Sequence, residues 1–506
     1  MNRGEILYPH DEGRLAQGMT YLLLGQAFFV LSLYLLHATL ARAFTPAEYG
    51  LFSVVMTILT WVEITVNTGI PSALEKFLPE DTRMASAMEG WALKLQGLGA
   101  GLIFLLFLTL APLIAALLQD KRLGFYLRLA ALDIPILAFY ALFRGMLNGF
   151  QAFGQQAIIV VVYSLARVGG ILLLVLLGFA LAGAFVGNAL ASLVALMMAF
   201  FLSRRLKGRE AGVMNLESVP SLSGVKRGIS GSRLFRFALP VILFTLCSNL
   251  LINIDLYSVK ALIADETIVG FYAAAVNLAN APRFVFLAFS FVLLPSLSES
   301  IAIQDWERVR RRLGQVGRFL ILFLLPGALI VAATSKELVT LVYSASYSPA
   351  APTLNILIFS AAFYSIYIVL VTVMLAENRP LLAFGLGISL LPVALVANWR
   401  LISLWGVMGA ALASALTTFL GLLLSGIYAI RRFGMPLPLK SLLKIVLASV
   451  VVYLLAGRYS VSGVLVFLNY AFLFSVYIFL LYIVREISLE DWQTIRSLVP
   501  LSGMRF

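Results

Sequence analysis

The sequence predicts an all-α polytopic membrane protein of about 14 transmembrane helices, arranged as two pseudo-symmetric six-helix lobes plus two C-terminal helices. Three observations predict it. The 506 residues are 61% hydrophobic and only 12% charged, about half the charged fraction of a soluble domain, and the mean hydropathy is +0.98. The charges are confined to the gaps between apolar runs long enough to span a bilayer, about 20 residues each. Lys and Arg are abundant in every second gap and sparse in the others.

Taken in order, the first six spans are 18–40, 49–74, 87–118, 123–146, 156–177 and 180–202. A polar stretch follows at 203–232, rich in Gly and Ser, and has the composition of a linker. The next six spans are 234–254, 267–294, 317–333, 351–375, 381–402 and 404–430, and after the basic stretch 431–440 come the last two, 441–456 and 461–484. The expected organisation is an N-terminal lobe (1–202), a cytoplasmic linker (203–232), a C-terminal lobe (233–434), spans 13 and 14 (435–484) and a cytoplasmic tail (485–506). The tail has the pattern of a short amphipathic surface helix (Leu489, Trp492, Ile495, Leu498), and 301–318 that of a basic amphipathic helix on the cytoplasmic surface. The largely polar first twenty residues exclude a cleavable signal peptide.

Charge fixes the orientation. With the N-terminus inside, only Arg42, Lys121, Arg122, Arg128, Lys260, Lys336, Arg400 and Arg458 of the 37 Lys and Arg fall outside, and Lys94, Arg167 and Arg283 stay within spans. A missed or extra span would invert every later segment and blur this bias. Both termini are therefore expected in the cytoplasm, in a multi-pass protein of the cell membrane. The sequence pI of about 9.8 reflects these inner-side cations, so no nucleic-acid partner is expected.

The lobes repeat in sequence. GAFVGNALAS (183–192) resembles GAALASALTT (409–418), and the pairs Arg204–Arg205 and Arg431–Arg432 close the same two spans 227 residues apart. EYGLFSVV (48–55) and IVGFYAAA (268–275) open spans 2 and 8. Six spans per copy is an even number, so both copies share one orientation.

The sequence holds no hydrolytic or transfer motif: no P-loop, GxSxG or HExxH. The single cysteine, Cys247, and two distant histidines, His10 and His37, offer no metal or disulfide framework, and no cofactor is expected. Repeated lobes with short loops point to a transporter and not an enzyme. The informative residues are the ionisable ones that hydrocarbon penalises by about 2.5–3.5 kcal/mol each. Arg167 is central in its span, Lys94 and Arg283 lie within theirs, Arg144 nears the inner end of span 4, Glu63 and Asp133 lie inside spans 2 and 4, and Asp255 closes span 7. One reading makes Arg167, Arg283 and Lys94 a cationic cavity for an anionic head group, since the Arg fork suits phosphate. The other pairs Arg167 and Lys94 with Asp133 and Glu63 to hold helices together, and leaves Lys94 and Arg144 to reach the inner interface. Glu63, Asp133 and Asp255 are candidates for ion coupling or for pairing.

TGIPSALEKFLPE (68–80), RGMLNGFQAFGQQA (144–157), LPVILFTLCSNLLINIDLYSVKALIADETIVGFYAAAVNLA (239–279) and LLPSLSES (293–300) resemble, in order and spacing, the polysaccharide-export oligosaccharide flippases. That family belongs to the superfamily that also contains the MATE drug exporters and the lipid II flippases. The resemblance implies two six-helix lobes plus two spans, and movement of a polyprenyl-phosphate-linked oligosaccharide between leaflets by alternating access. It implies cavity cations on the pyrophosphate, with Arg167, Arg283 and Lys94 as the available counterparts. Lipid II flippases place a functional charge in span 1, where this chain has Gln26 and His37 but no Arg or Asp. The expected partners are the lipid-linked oligosaccharide and membrane lipid, with glycan-assembly proteins an open option. The alternative is a MATE-type, cation-coupled exporter of small organic molecules, which would want an acidic cavity.

Overall fold

The structure is a computed structural model that describes residues 12–78, 85–150, 152–214, 231–281, 297, 301, 304–377, 379–434, 439–458 and 461–486. Among these residues there is no β-strand. The helices are α1 (Glu12–Ala43), α2 (Pro46–Thr68), α3 (Ile70–Phe77), α4 (Ala85–Leu117), α5 (Lys121–Ala131), α6 (Asp133–Gly149), α7 (Phe153–Leu174) and α8 (Ala180–Met214). They continue with α9 (Gly231–Leu262), α10 (Glu266–Ala279), α11 (Trp306–Ala333), α12 (Ser335–Val342), α13 (Ala351–Ala376), α14 (Pro380–Phe433), α15 (Leu439–Ala456) and α16 (Leu465–Ile483).

Nine helical stretches among the described residues are long and apolar enough to cross a membrane. Two of them, Phe153–Leu206 and Leu381–Phe433, run for 54 and 53 residues. At 1.5 Å per residue each would extend about 80 Å, well over twice the roughly 30 Å of a hydrocarbon core. Neither is straight. The first breaks through Gly178 (φ 91°) and Ala180 (φ 45°, ψ −132°), the second at Gly406 (φ 57°, ψ −137°). Ala180 and Gly406 are 226 residues apart, close to the offset of the sequence repeat, and hold nearly the same backbone geometry. The repeat is thus visible in the chain path. Beyond the break, Gly187 fits where a Cβ would lie 2.7 Å from the Ile171 backbone, so α7 and α8 pack closely.

Ala180 occupies a region that suits glycine alone, at a cost of roughly 1–3 kcal/mol. Ala180→Gly is therefore expected to raise thermal stability in detergent, and Gly406→Ala to lower it. Equal melting temperatures for both variants and the wild type would show that neither backbone is strained.

Two expected spans are interrupted. Span 2 breaks at Gly69 (φ −76°, ψ −96°) between α2 and α3, with Pro71 in the first turn of α3, where its missing N–H costs nothing. Span 4 divides at Leu132 into α5 and α6, with Asp133 in the first turn of α6. The amphipathic segment at 301–318 is not a separate surface helix. From Trp306 it runs unbroken into α11, capped by the Asp305 carboxylate accepting from Arg308 N at 2.9 Å. α8 extends to Met214, and 215–230 of the polar stretch, 282–296 and the tail from 487 on lie outside the described residues.

The chain forms two compact units, 1–40 with 55–246, and 41–54 with 247–506. In the first, the buried Gln96 of α4 donates to Val66 O and Ala138 O, both at 2.9 Å, joining α4 to α2 and α6. In the second, α15 and α16 pack on α11 through Ile445, Val452, Leu473 and Leu481, with the buried Tyr477 hydroxyl on Leu322 O at 2.8 Å. The segment 41–54 is seated in this unit by small residues and a tyrosine chain. A Cβ on Gly50 would lie 2.7 Å from Gly270 N, and one on Gly270 only 1.8 Å from Pro46 O. Gly50 and Gly270 occupy matching places in the two repeats. Asn277 donates to the Tyr49 hydroxyl (3.0 Å), and the Tyr343 hydroxyl donates to Ala274 O (3.3 Å). Arg42 adds bonds to the carbonyls of Tyr343 and Leu341.

At the end of α13, Glu377 is bonded by Tyr428 and by Arg432 (2.6 Å), with Arg379 at 3.4 Å. Burial opposes the charged carboxylate, but these bonds and the two guanidiniums outweigh it and hold Glu377 below its ordinary value. A depressed carboxyl contributes stability above its unfolded value, about 4.3, and that contribution is lost as pH falls through the lower folded value. Glu377→Gln should thus flatten the loss of melting temperature below about pH 4. An unchanged acid slope would contradict this assignment.

Candidate functional site in the first unit

Three of the ionisable residues singled out from the sequence converge here. Arg167 of α7, Glu63 of α2 and Asp133 of α6 lie within electrostatic reach of one another. His37 of α1 also lies within reach of Arg167. By helix rise, Arg167 is about 21 Å along α7 from Phe153 and Asp133 about 24 Å along α6 from Gly149, so the turn between α6 and α7 puts them at similar depth.

The cluster is not a closed set of ion pairs. Asp133, 1% exposed, takes its hydrogen bond from Asn188 Nδ2 of α8 at 2.6 Å. Among the described residues Arg167 Nε and Glu63 Oε1 have no hydrogen-bond partner, and both side chains are half-buried. A desolvated guanidinium without a bonded carboxylate is costly, and its fork is free to take one from elsewhere.

Arg167 is backed by aromatic rings. Its guanidinium lies 6.0 Å from the Tyr163 ring centre, and Tyr163 stacks on Tyr140 (5.6 Å, 26°) and on Phe29 (6.3 Å, 16°). Tyr140 carries Arg144 at 5.7 Å. Arg144, which sequence reasoning left to the inner interface, bonds the neutral Asn67 Oδ1 at 3.3 Å, and its Nε has no partner among the described residues. The tyrosines and Asn188 were not singled out from the sequence. The signal for the tyrosines was present: YALFR (140–144) and YSLAR (163–167) repeat one pattern on consecutive helices.

The remaining candidates lie elsewhere. Lys94 is exposed on α4 with its ammonium 5.5 Å from the Trp91 ring centre. Arg283 lies outside the described residues. Asp255, 3% exposed in the second unit, receives the Tyr272 hydroxyl and Ser414 Oγ, both at 2.7 Å, and Leu256 N at 2.8 Å. These donors are neutral. Asp255 borders a cavity enclosing about 380 Å³ of empty space, part of it open, that also meets Asn280, Ser360, Tyr364 and Thr418.

Span-length apolar helices, a repeat seen in both sequence and backbone, and buried ionisable groups define a multi-pass membrane protein of transporter type. The chain matches the family described as polysaccharide biosynthesis protein over residues 15–301, more than half its length, and belongs to that family. It is similar to stage V sporulation protein B of Bacillus subtilis (strain 168), 24% identical over 330 residues, a match that spans 61% of this chain and 62% of that protein. Its fold is that of a solved lipid II flippase MurJ in an inward closed conformation (TM-score 0.71, 14% identity, covering 92% of this chain and 98% of the other). It is also that of the Vibrio cholerae MATE transporter VcmN (TM-score 0.56, 17% identity, 83% and 98%).

Proposed function

We propose that this protein moves a lipid-linked, polyprenyl-phosphate oligosaccharide across the cytoplasmic membrane by alternating access, supplying polysaccharide biosynthesis. In this reading the chain transports and does not catalyse, crosses the membrane fourteen times and keeps both ends in the cytoplasm. The observation that carries it is Arg167: a half-buried guanidinium deep in an apolar helix, ring-backed on one side, with Nε unbonded. Such a group fits a phosphate, which supplies the anion that the unpaired fork lacks. The family and the flippase-like fold support the same cargo class. Glu63 and Asp133 lie where a phosphate on Arg167 would feel their charge, and Asp255 is a separate buried carboxylate suited to coupling a proton or cation. Arg283 and Lys94 are further candidate contacts for the head group.

Deleting the gene tests the reading in cells. The expected result is accumulation of lipid-linked oligosaccharide with unchanged tolerance of cationic dyes. Normal glycolipid levels with dye sensitivity would instead assign the protein to drug export.

A further inference from the structure

Arg144 and Arg167 are related by more than charge. Each follows a tyrosine by four residues, in YALFR on α6 and YSLAR on α7. At that spacing a helical side chain leans back over the residue one turn before it, which places each guanidinium against its own tyrosine ring. The two rings stack on each other and are buried, Tyr140 at 3% and Tyr163 at 7% exposure. The order in space is therefore Arg144, Tyr140, Tyr163, Arg167. Because α6 and α7 run in opposite directions about the 150–152 turn, the two arginines point away from the stack toward opposite membrane faces. Their Cα atoms lie about 8 Å and about 21 Å from the turn-side helix ends.

We propose that Arg144 and Arg167 are two successive contact points for the phosphate of a lipid carrier, held in register by the Tyr140–Tyr163 stack. The proposal rests on the flippase reading above and names the entry residue that it lacks. Both side chains are half-buried, and both have a guanidinium nitrogen with no partner among the described residues. The hydrogen bond to Arg144 Nη2 is from a neutral amide oxygen, so an incoming phosphate meets an uncompensated cation there first. At Arg167 the same phosphate meets a cation already shared with Glu63 and Asp133, which weakens the hold and favours onward movement. The tyrosine rings stabilise each guanidinium through its face and leave its edge for bidentate bonding. They are positioning residues and do not themselves touch the cargo.

The test uses the full-length protein in proteoliposomes with a fluorescent polyprenyl-diphosphate disaccharide as probe, read as half-saturating concentration and limiting rate. Arg144→Ala should raise the half-saturating concentration about tenfold or more, the size expected from losing a charge-assisted bond, and change the limiting rate less than about twofold. Tyr140→Leu should reproduce that rise and Tyr140→Phe should rescue it, because the ring and not the hydroxyl holds the guanidinium. If Arg144→Ala fails to give a monodisperse protein, Arg144→Lys, which keeps the charge and loses the fork, should still raise the half-saturating concentration several-fold. A wild-type half-saturating concentration in a folded Arg144 variant, or equal defects in Tyr140→Phe and Tyr140→Leu, overturns the proposal while leaving the flippase reading intact. Failure of the wild-type protein to move the probe overturns both.

Discussion

Arg167→Ala abolishes movement of the lipid-linked cargo and leaves the amount and fold of the protein intact. Removing one partner of a buried, hydrogen-bonded charge pair costs roughly 2–5 kcal/mol, or about 30- to 4,000-fold in binding. That is enough to stop transport at ordinary cargo levels. The fold should survive, because Arg167 has no bonded carboxylate to leave stranded: Asp133 is held by Asn188, and Arg167 Nε is unbonded among the described residues. Were Arg167 a structural partner, the same substitution would lower thermal stability and expression instead. Transport assayed beside melting temperature separates the two, and normal transport by a stable Arg167→Ala protein would remove Arg167 from the site.

The second large effect is expected at Gly270. A Cβ there would lie 1.8 Å from the carbonyl oxygen of Pro46, so alanine displaces the start of α2 outright. Overpacking of a tight contact costs typically 1–3 kcal/mol and sometimes more, and the bond from Asn277 to the Tyr49 hydroxyl is lost with it. Gly270→Ala should speed hydrogen exchange in the amides of 46–54 more than in those of 57–66 and lower the melting temperature. An exchange pattern like the wild type's would mean that this glycine contact does not hold the segment.

The fold was legible because the bilayer imposes a coarse code. Apolar runs, alternating cations and the turn positions near Gly178 and Gly406 are all local signals, and the structure breaks the long helices at those glycines. The breaks at Gly69 and Leu132 were not legible. Both fall inside runs that stay apolar on either side, so hydropathy sees one span where the backbone makes two helices.

The site was legible in part for the same reason. Arg167, Glu63 and Asp133 stand out as charges where charge is penalised. Tyr140 and Tyr163 do not, since tyrosine is unremarkable in an apolar helix and its role depends on which ring faces it across α6 and α7. Arg144 lies within the RGMLNGFQAFGQQA stretch, but its distance along the span gave it a bland explanation until the structure placed it on Tyr140. Asp255 was visible as a charge closing a span. Its neutral donors, Tyr272 and Ser414, come from other helices and were not.

The most direct measurement of the central claim is made in proteoliposomes carrying a fluorescent polyprenyl-diphosphate oligosaccharide in both leaflets. A membrane-impermeant quencher reaches only the outer leaflet. With wild-type protein the inner pool should become quenchable over time, and with Arg167→Ala it should stay protected as in protein-free vesicles. Efflux of a cationic dye from the same vesicles, with the inner glycolipid pool still protected, would contradict the account.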